Sequence, residues 1–203
     1  MTVYLALGDS ISIDDYTGVA GGGAPAQLAR LLAADLVDLT RDGNTTHGVL
    51  RDLARAPSAA DVVTVTAGGN DLLGGELPRG ILRRLDEIAD RIEGLGARVV
   101  LNTVYDPSDG DNEVGRRELG LSRIAALELR RRLNAVNGGI RRLAAARGFV
   151  LADLERLFHG HGVASPEPWF VHVIEPNLAG ATAIAEHWHH VLLNPPGNTI
   201  FKR

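Results

Sequence analysis

The stretch Val3-Tyr4-Leu5-Ala6-Leu7-Gly8-Asp9-Ser10 decides the reading of this chain, because an unbroken apolar run passes directly into a Gly-Asp-Ser turn. A run without polar alternation is the mark of a strand buried on both faces, as in a parallel sheet covered by helices. Four further runs share this character: Leu36 to Leu39, Val62 to Thr66, Val99 to Thr103 and Phe149 to Ala152. Segments of helical period lie between and after them: Gln27 to Ala34, Val49 to Ala54, Ile81 to Ile92, Leu121 to Ala146 and Gly180 to Leu193, the last preceded by Asn177 as N-cap. Strands alternating with helices predict an α/β fold of three layers, α/β/α.

The length of 203 residues, 45% hydrophobic and 23% charged, fits one domain spanning 1–203 that buries a core without disulfides or structural metal. The absence of cysteine excludes thiolate zinc sites, iron–sulfur clusters and a cysteine nucleophile. A net charge of -4, with four Phe, three Tyr and two Trp, argues against a nucleic-acid surface. No apolar run approaches the roughly 20 residues of a membrane span. Val3 to Leu7 is too short for a signal-peptide core, which makes the cytoplasm the default location. Gly21-Gly22-Gly23-Ala24-Pro25 lacks the Lys-Ser/Thr ending of a phosphate loop and reads as a hinge, so no cofactor is expected.

In an open α/β sheet, ligands bind beyond the carboxyl ends of the strands. Three strands end there in polar, glycine-containing turns: Gly8-Asp9-Ser10, Arg41-Asp42-Gly43-Asn44-Thr45 and Gly68-Gly69-Asn70-Asp71. A hydroxyl, a glycine N–H and an asparagine amide are the parts of a nucleophile with its oxyanion hole. These blocks, in this order, resemble the SGNH or GDSL hydrolases. The resemblance implies a flavodoxin-like sheet of five parallel strands in the order 2-1-3-4-5, which the strand spacing also supports. It further implies ester hydrolysis with Ser10 as nucleophile and the Ser10 N–H, Gly43 N–H and Asn70 amide as oxyanion donors.

The last block departs from the family. Where the family carries Asp-x-x-His, this chain reads His172-Val173-Ile174-Glu175 followed by Pro176-Asn177, so the acid and the imidazole stand exchanged. A triad needs an imidazole between serine and carboxylate in any chain order. The expectation is therefore His172 as general base toward Ser10, with Glu175 orienting the imidazole. Alternatively Glu175 caps the last helix and leaves a Ser-His dyad, or His159 or His161 replaces His172. Asp9 is expected to brace its turn, and Asp71 to orient its loop. Asp14, Asp15, Tyr16 and Trp169 are candidates for lining the substrate pocket, and Tyr105 to Leu119 is a long polar loop bordering it. Asp153 reads as a loop tie, and Arg130 to Arg132 as a solvated helix face. His187, His189 and His190 lack metal-site spacing, so no metal is expected. The partner is then a small-molecule ester bound by a monomer. A non-catalytic acyl- or glycan-binding module on a degenerate hydrolase scaffold is the alternative, and a nucleotide-binding protein on the same fold a weaker one.

Overall fold

The computed structural model describes residues 1–194. Five strands, β1 (Val3–Gly8), β2 (Asp35–Thr40), β3 (Val62–Thr66), β4 (Arg98–Asn102) and β5 (Val150–Ala152), form one parallel sheet in the order β2-β1-β3-β4-β5. This is the order the sequence implied. The side-chain period of two divides each strand between the layers. In β1, Leu5 and Leu7 face a core shared with Val49 of α2 (Thr46–Asp52), Ile81, Leu85, Ile88 and Ile92 of α4 (Pro78–Glu93), and Val136 and Ile140 of α6 (Arg123–Arg147). Tyr4 and Ala6 face the opposite core, built with Leu28 of α1 (Ala24–Leu32) and Ile184 and Trp188 of α8 (Leu178–Leu193). Each of these leucines and isoleucines, fully buried, contributes about 1.5–3 kcal/mol. Trp188 donates its indole N–H to Asn102 Oδ1 at 2.6 Å, which satisfies the polar end of the largest buried side chain.

Several boundaries differ from the sequence reading for local reasons. Helix α1 begins three residues early, because Pro25 is well placed in a first helical turn, where its missing N–H costs nothing. The expected long loop contains a helix, α5 (Asn112–Glu118), whose N-cap Asp111 accepts from the Glu113 N–H at 2.8 Å. Helix α6 runs unbroken through Gly138 and Gly139. A Cβ on Gly139 would stand 2.3 Å from Leu82 Cδ1, so this glycine lets α4 and α6 approach each other. Arg130 donates to the Gly110 carbonyl and Arg132 pairs with Glu128, so that face tethers a loop as well as meeting solvent. Asn177 caps α8 as expected, accepting from the Gly180 N–H at 3.0 Å. Two short helices, α3 (Gly69–Leu73) and α7 (Leu154–Leu157), follow β3 and β5 directly. A feature the sequence did not announce is the antiparallel pair β6 (Phe170–Val171) and β7 (Glu175–Pro176), closed by the turn His172-Val173-Ile174.

Candidate active site

The first turn hangs on a backbone that only glycine can make. Gly8 has φ +155, and a Cβ there would fall 1.9 Å from Thr66 Oγ1, so β1 and β3 meet too closely for any side chain. The chain then enters a 3-10 turn, Ser10–Ser12, capped by Asp9, whose Oδ1 accepts from the Ile11 N–H at 3.3 Å. Asp9 thus braces the turn. Ser10 sits at its start, 6% exposed, at the carboxyl edge of β1. Burial pushes the Asp9 carboxyl up to about 8, with the neighbouring Glu175 and Asp71 carboxylates acting in the same direction.

The second and third turns are tied to each other. Asn70, at the start of α3, donates its amide to the Asn44 carbonyl at 2.9 Å, and retains one further N–H. Asn44 in turn donates to the Gly8 carbonyl at 3.0 Å and to Asp52 at 3.0 Å. Asn44 went unnoticed in the sequence, where only its place beside Gly43 could have marked it; it joins all three turns. Gly43 itself is exposed, with φ +64. Asp71 accepts from the Thr46 N–H at 2.9 Å and from the Thr46 hydroxyl at 2.6 Å, the loop-orienting role expected of it. Arg84, buried in α4, donates to Thr46 Oγ1 at 2.6 Å and pairs with Asp71 at 3.2 Å.

The fourth block is where geometry departs from expectation. The β6–β7 register pairs Val171 with Glu175 and Phe170 with Pro176, leaving His172 to Ile174 as the turn. His172 and Val173 take left-handed backbone, φ 50 and 72, a region that disfavours a β-branched residue. Consequently His172 lies exposed at the tip, its ring edge-on to Tyr16 at 6.0 Å between centroids, and no hydrogen bond joins it to Ser10 or Glu175. Glu175, on the strand, turns inward and is 6% exposed. β7 packs against the Ser10 turn, which sets the buried Glu175 carboxylate beside the Ser10 hydroxyl. Burial raises the Glu175 carboxyl above its ordinary value and the Asp42 charge adds to this, while the neighbouring Ser10 hydroxyl and His172 work against it. Glu175 Oε2 is buried without a hydrogen-bond partner. Tyr105, also missed in the sequence, fixes this hairpin by donating its hydroxyl to the Ile174 carbonyl.

The structure uses the reserve histidines elsewhere. His159 Nδ1 bonds Asp109 at 2.5 Å, and His161 donates to the Glu167 carbonyl at 3.1 Å while stacking on Trp169 at 3.7 Å. Trp169 therefore pins the loop and stands outside the cavity lining. Asp14 accepts from the Gly21 and Gly23 N–H groups at 2.5 and 2.7 Å, which closes its own loop instead of facing a substrate. Asp15 is exposed. Tyr16 is half-buried over the site, its phenol pushed up by burial, then by Glu175 and Asp42. Asp153 pairs with Arg141 at 2.8 Å and accepts from Thr103, as a loop tie should. Among the described residues, no group of three or more His, Asp or Glu side chains could hold a metal.

A cavity of about 100 Å³ opens beside Ser10 and Asn70, walled by apolar side chains including Leu72, Val104, Val114, Ala126, Leu129 and Leu133. Among the described residues, no helix is long and apolar enough to cross a membrane.

Sheet order, helical layers and the three strand-end turns define a flavodoxin-like α/β/α protein of the SGNH hydrolase type. The chain belongs to the GDSL-like Lipase/Acylhydrolase family, whose profile matches residues 6–183. Solved structures agree in fold. The phospholipase A1 of Streptomyces albidoflavus NA297 is 20% identical with a TM-score of 0.72, covering 93% of this chain and 98% of that one. An extracellular lipase of Streptomyces rimosus is 21% identical with a TM-score of 0.69, covering 94% and 99%. A variant of Axe2, an acetyl-xylooligosaccharide esterase from Geobacillus stearmophilus, is 17% identical with a TM-score of 0.72, covering 93% of each. No curated protein matches the chain.

Proposed function

We propose that this chain hydrolyses small carboxylic esters through an acyl-enzyme on Ser10. The observation that carries the reading is the position of Ser10 itself. It lies on a tight turn at the carboxyl end of β1, between a buried carboxylate and the mouth of an apolar cavity. Ser10 Oγ attacks the acyl carbon. The free N–H of Asn70, the Ser10 N–H and the Gly43 N–H are the donors for the developing oxyanion, a preorganised arrangement worth about 3 kcal/mol per donor. The apolar cavity suits the acyl portion, with the leaving alcohol toward Tyr16 and the exposed turn. Membership of a lipase and acylhydrolase family supports the same chemistry.

The test is covalent. A fluorophosphonate should add once to the wild-type protein, at Ser10, and not to Ser10→Ala, and ester turnover should vanish in the same variant. One observation favours the competing reading, a binding module for acyl or glycan ligands: no imidazole is hydrogen-bonded to Ser10. An unlabelled Ser10 together with measurable ligand affinity would establish that module instead.

A further inference from the structure

We infer that the Glu175 carboxylate itself takes the proton of Ser10, with no imidazole between them. This rests on the proposed ester hydrolysis at Ser10 and names the base that such a reaction needs. The carboxylate and the hydroxyl are neighbours because β7 lies against the Ser10–Ser12 turn, and the hairpin register directs Glu175 inward. Inserting the His172 ring between them would require the tip of a turn anchored by Tyr105 to fold under its own strand. A buried acceptor oxygen without a partner, Oε2, leaves the carboxylate with unused capacity for a proton.

The charged and titratable groups around Glu175 are Asp9 on the Ser10 turn, Asp42 on the second turn, His172 on its own hairpin, and Tyr16 and Tyr105 from the flanking loops. Of the two carboxyls nearest Ser10, Asp9 is held mostly protonated at neutral pH and already accepts from Ile11. It is therefore the poorer acceptor. Burial raises the Glu175 carboxyl above its ordinary value, which makes its carboxylate a stronger base than one in water.

The proton balance closes on two residues. As Ser10 Oγ forms its bond to the acyl carbon, its proton moves to Glu175 and the carbonyl π pair moves onto the carbonyl oxygen. Collapse breaks the bond to the leaving oxygen, which takes the proton from the Glu175 carboxylic acid. Water then gives a proton to Glu175 as its oxygen joins the acyl carbon, and Ser10 Oγ departs with that proton.

The experiment compares kcat/KM for p-nitrophenyl butyrate against pH in wild type, Ser10→Ala, His172→Ala, Glu175→Gln and Glu175→His, with circular dichroism confirming each fold. Glu175→Gln should lose about 100-fold or more, at least tenfold more than His172→Ala loses. The acid-side fall in rate should survive in His172→Ala, since the titrating group is still present. Glu175→His should recover part of the loss, with its acid limb moved up toward the imidazole range near 6.5. A structural role for Glu175 would not move that limb. The inference is overturned if Glu175→Gln keeps more than a tenth of the rate, or if His172→Ala loses both the activity and the acid limb. A wild-type protein that neither turns over the ester nor takes the fluorophosphonate ends the Ser10 reading and this inference together. Full turnover in Ser10→Ala ends the Ser10 reading and removes the proton this step requires.

Discussion

Arg84 ties together the two loops that carry Asn44 and Asn70, and replacing it with methionine tests how much that tie is worth. The guanidinium and the Asp71 carboxylate are 4% and 3% exposed, so the pair is desolvated on both sides. Breaking a buried pair by removing one partner costs about 3–5 kcal/mol, because the other charge is left stranded. Asp71 keeps both bonds from Thr46, and Glu76, 3.4 Å from Arg84, is 41% exposed and regains water when the arginine is lost. These compensations place the expected loss at the low end, about 3 kcal/mol. For a chain of this size that is a fall of roughly 6–12 °C in Tm. Urea unfolding followed by circular dichroism would measure it from the shift in midpoint. Combining Arg84→Met with Asp71→Asn should cost less than the two single losses added, since the double variant strands no charge. A loss under about 1 kcal/mol, or strict additivity of the pair within about 0.5 kcal/mol, would refute the reasoning.

Other outcomes follow from the same geometry. Asn70→Ala should lower kcat/KM by about 100-fold or more with little change in far-ultraviolet circular dichroism; an unaltered rate would remove Asn70 from the oxyanion site. Ala126→Phe fills the apolar cavity and should lower kcat/KM for hexanoyl esters at least about tenfold relative to acetyl esters, read from a panel of chain lengths. Gly8→Ala should abolish soluble folded protein, because a Cβ would also stand 2.4 Å from the Thr66 carbonyl oxygen, a backbone atom of the neighbouring strand that no rotamer change moves; recovery of soluble protein with wild-type circular dichroism would contradict this. The Asp9 carboxyl, raised from 3.8 to about 8, binds its proton more tightly in the folded chain than in the unfolded one. Its contribution to stability is therefore full below about pH 4 and lost progressively as pH rises toward 8. Asp9→Asn should flatten that decline in thermal scans between pH 5 and 8; a parallel decline in both proteins would contradict it.

The layers of the fold were readable because β1, β3 and β4 are buried on both sides and so carry uninterrupted apolar runs. Glycine-containing turns at strand ends likewise made Ser10, Gly43 and Asn70 visible as a set. The fourth block was harder to read for a definite reason. Sequence spacing puts His172 and Glu175 three residues apart, but their separation in space depends on a two-residue pairing, Val171 with Glu175, that no local propensity announces. Pairing sends one residue inward and leaves the other on the tip. Asn44 escaped notice because its value lies in three contacts to distant segments, and Tyr105 because its partner is a backbone carbonyl 69 residues away. Helix α5 was hidden in a stretch rich in Pro, Asp and Gly, whose polar caps look like loop until the helix they start is seen.

The hairpin β6–β7 stands apart from the main sheet and pairs only within itself. Ser10, Gly43 and Asn70 are thereby rooted at the ends of strands that make the protein fold, while the residues at 172 and 175 ride on an accessory ribbon. Proton chemistry in such an architecture can be rewritten by exchanging a ribbon of seven residues, leaving the load on the central framework untouched.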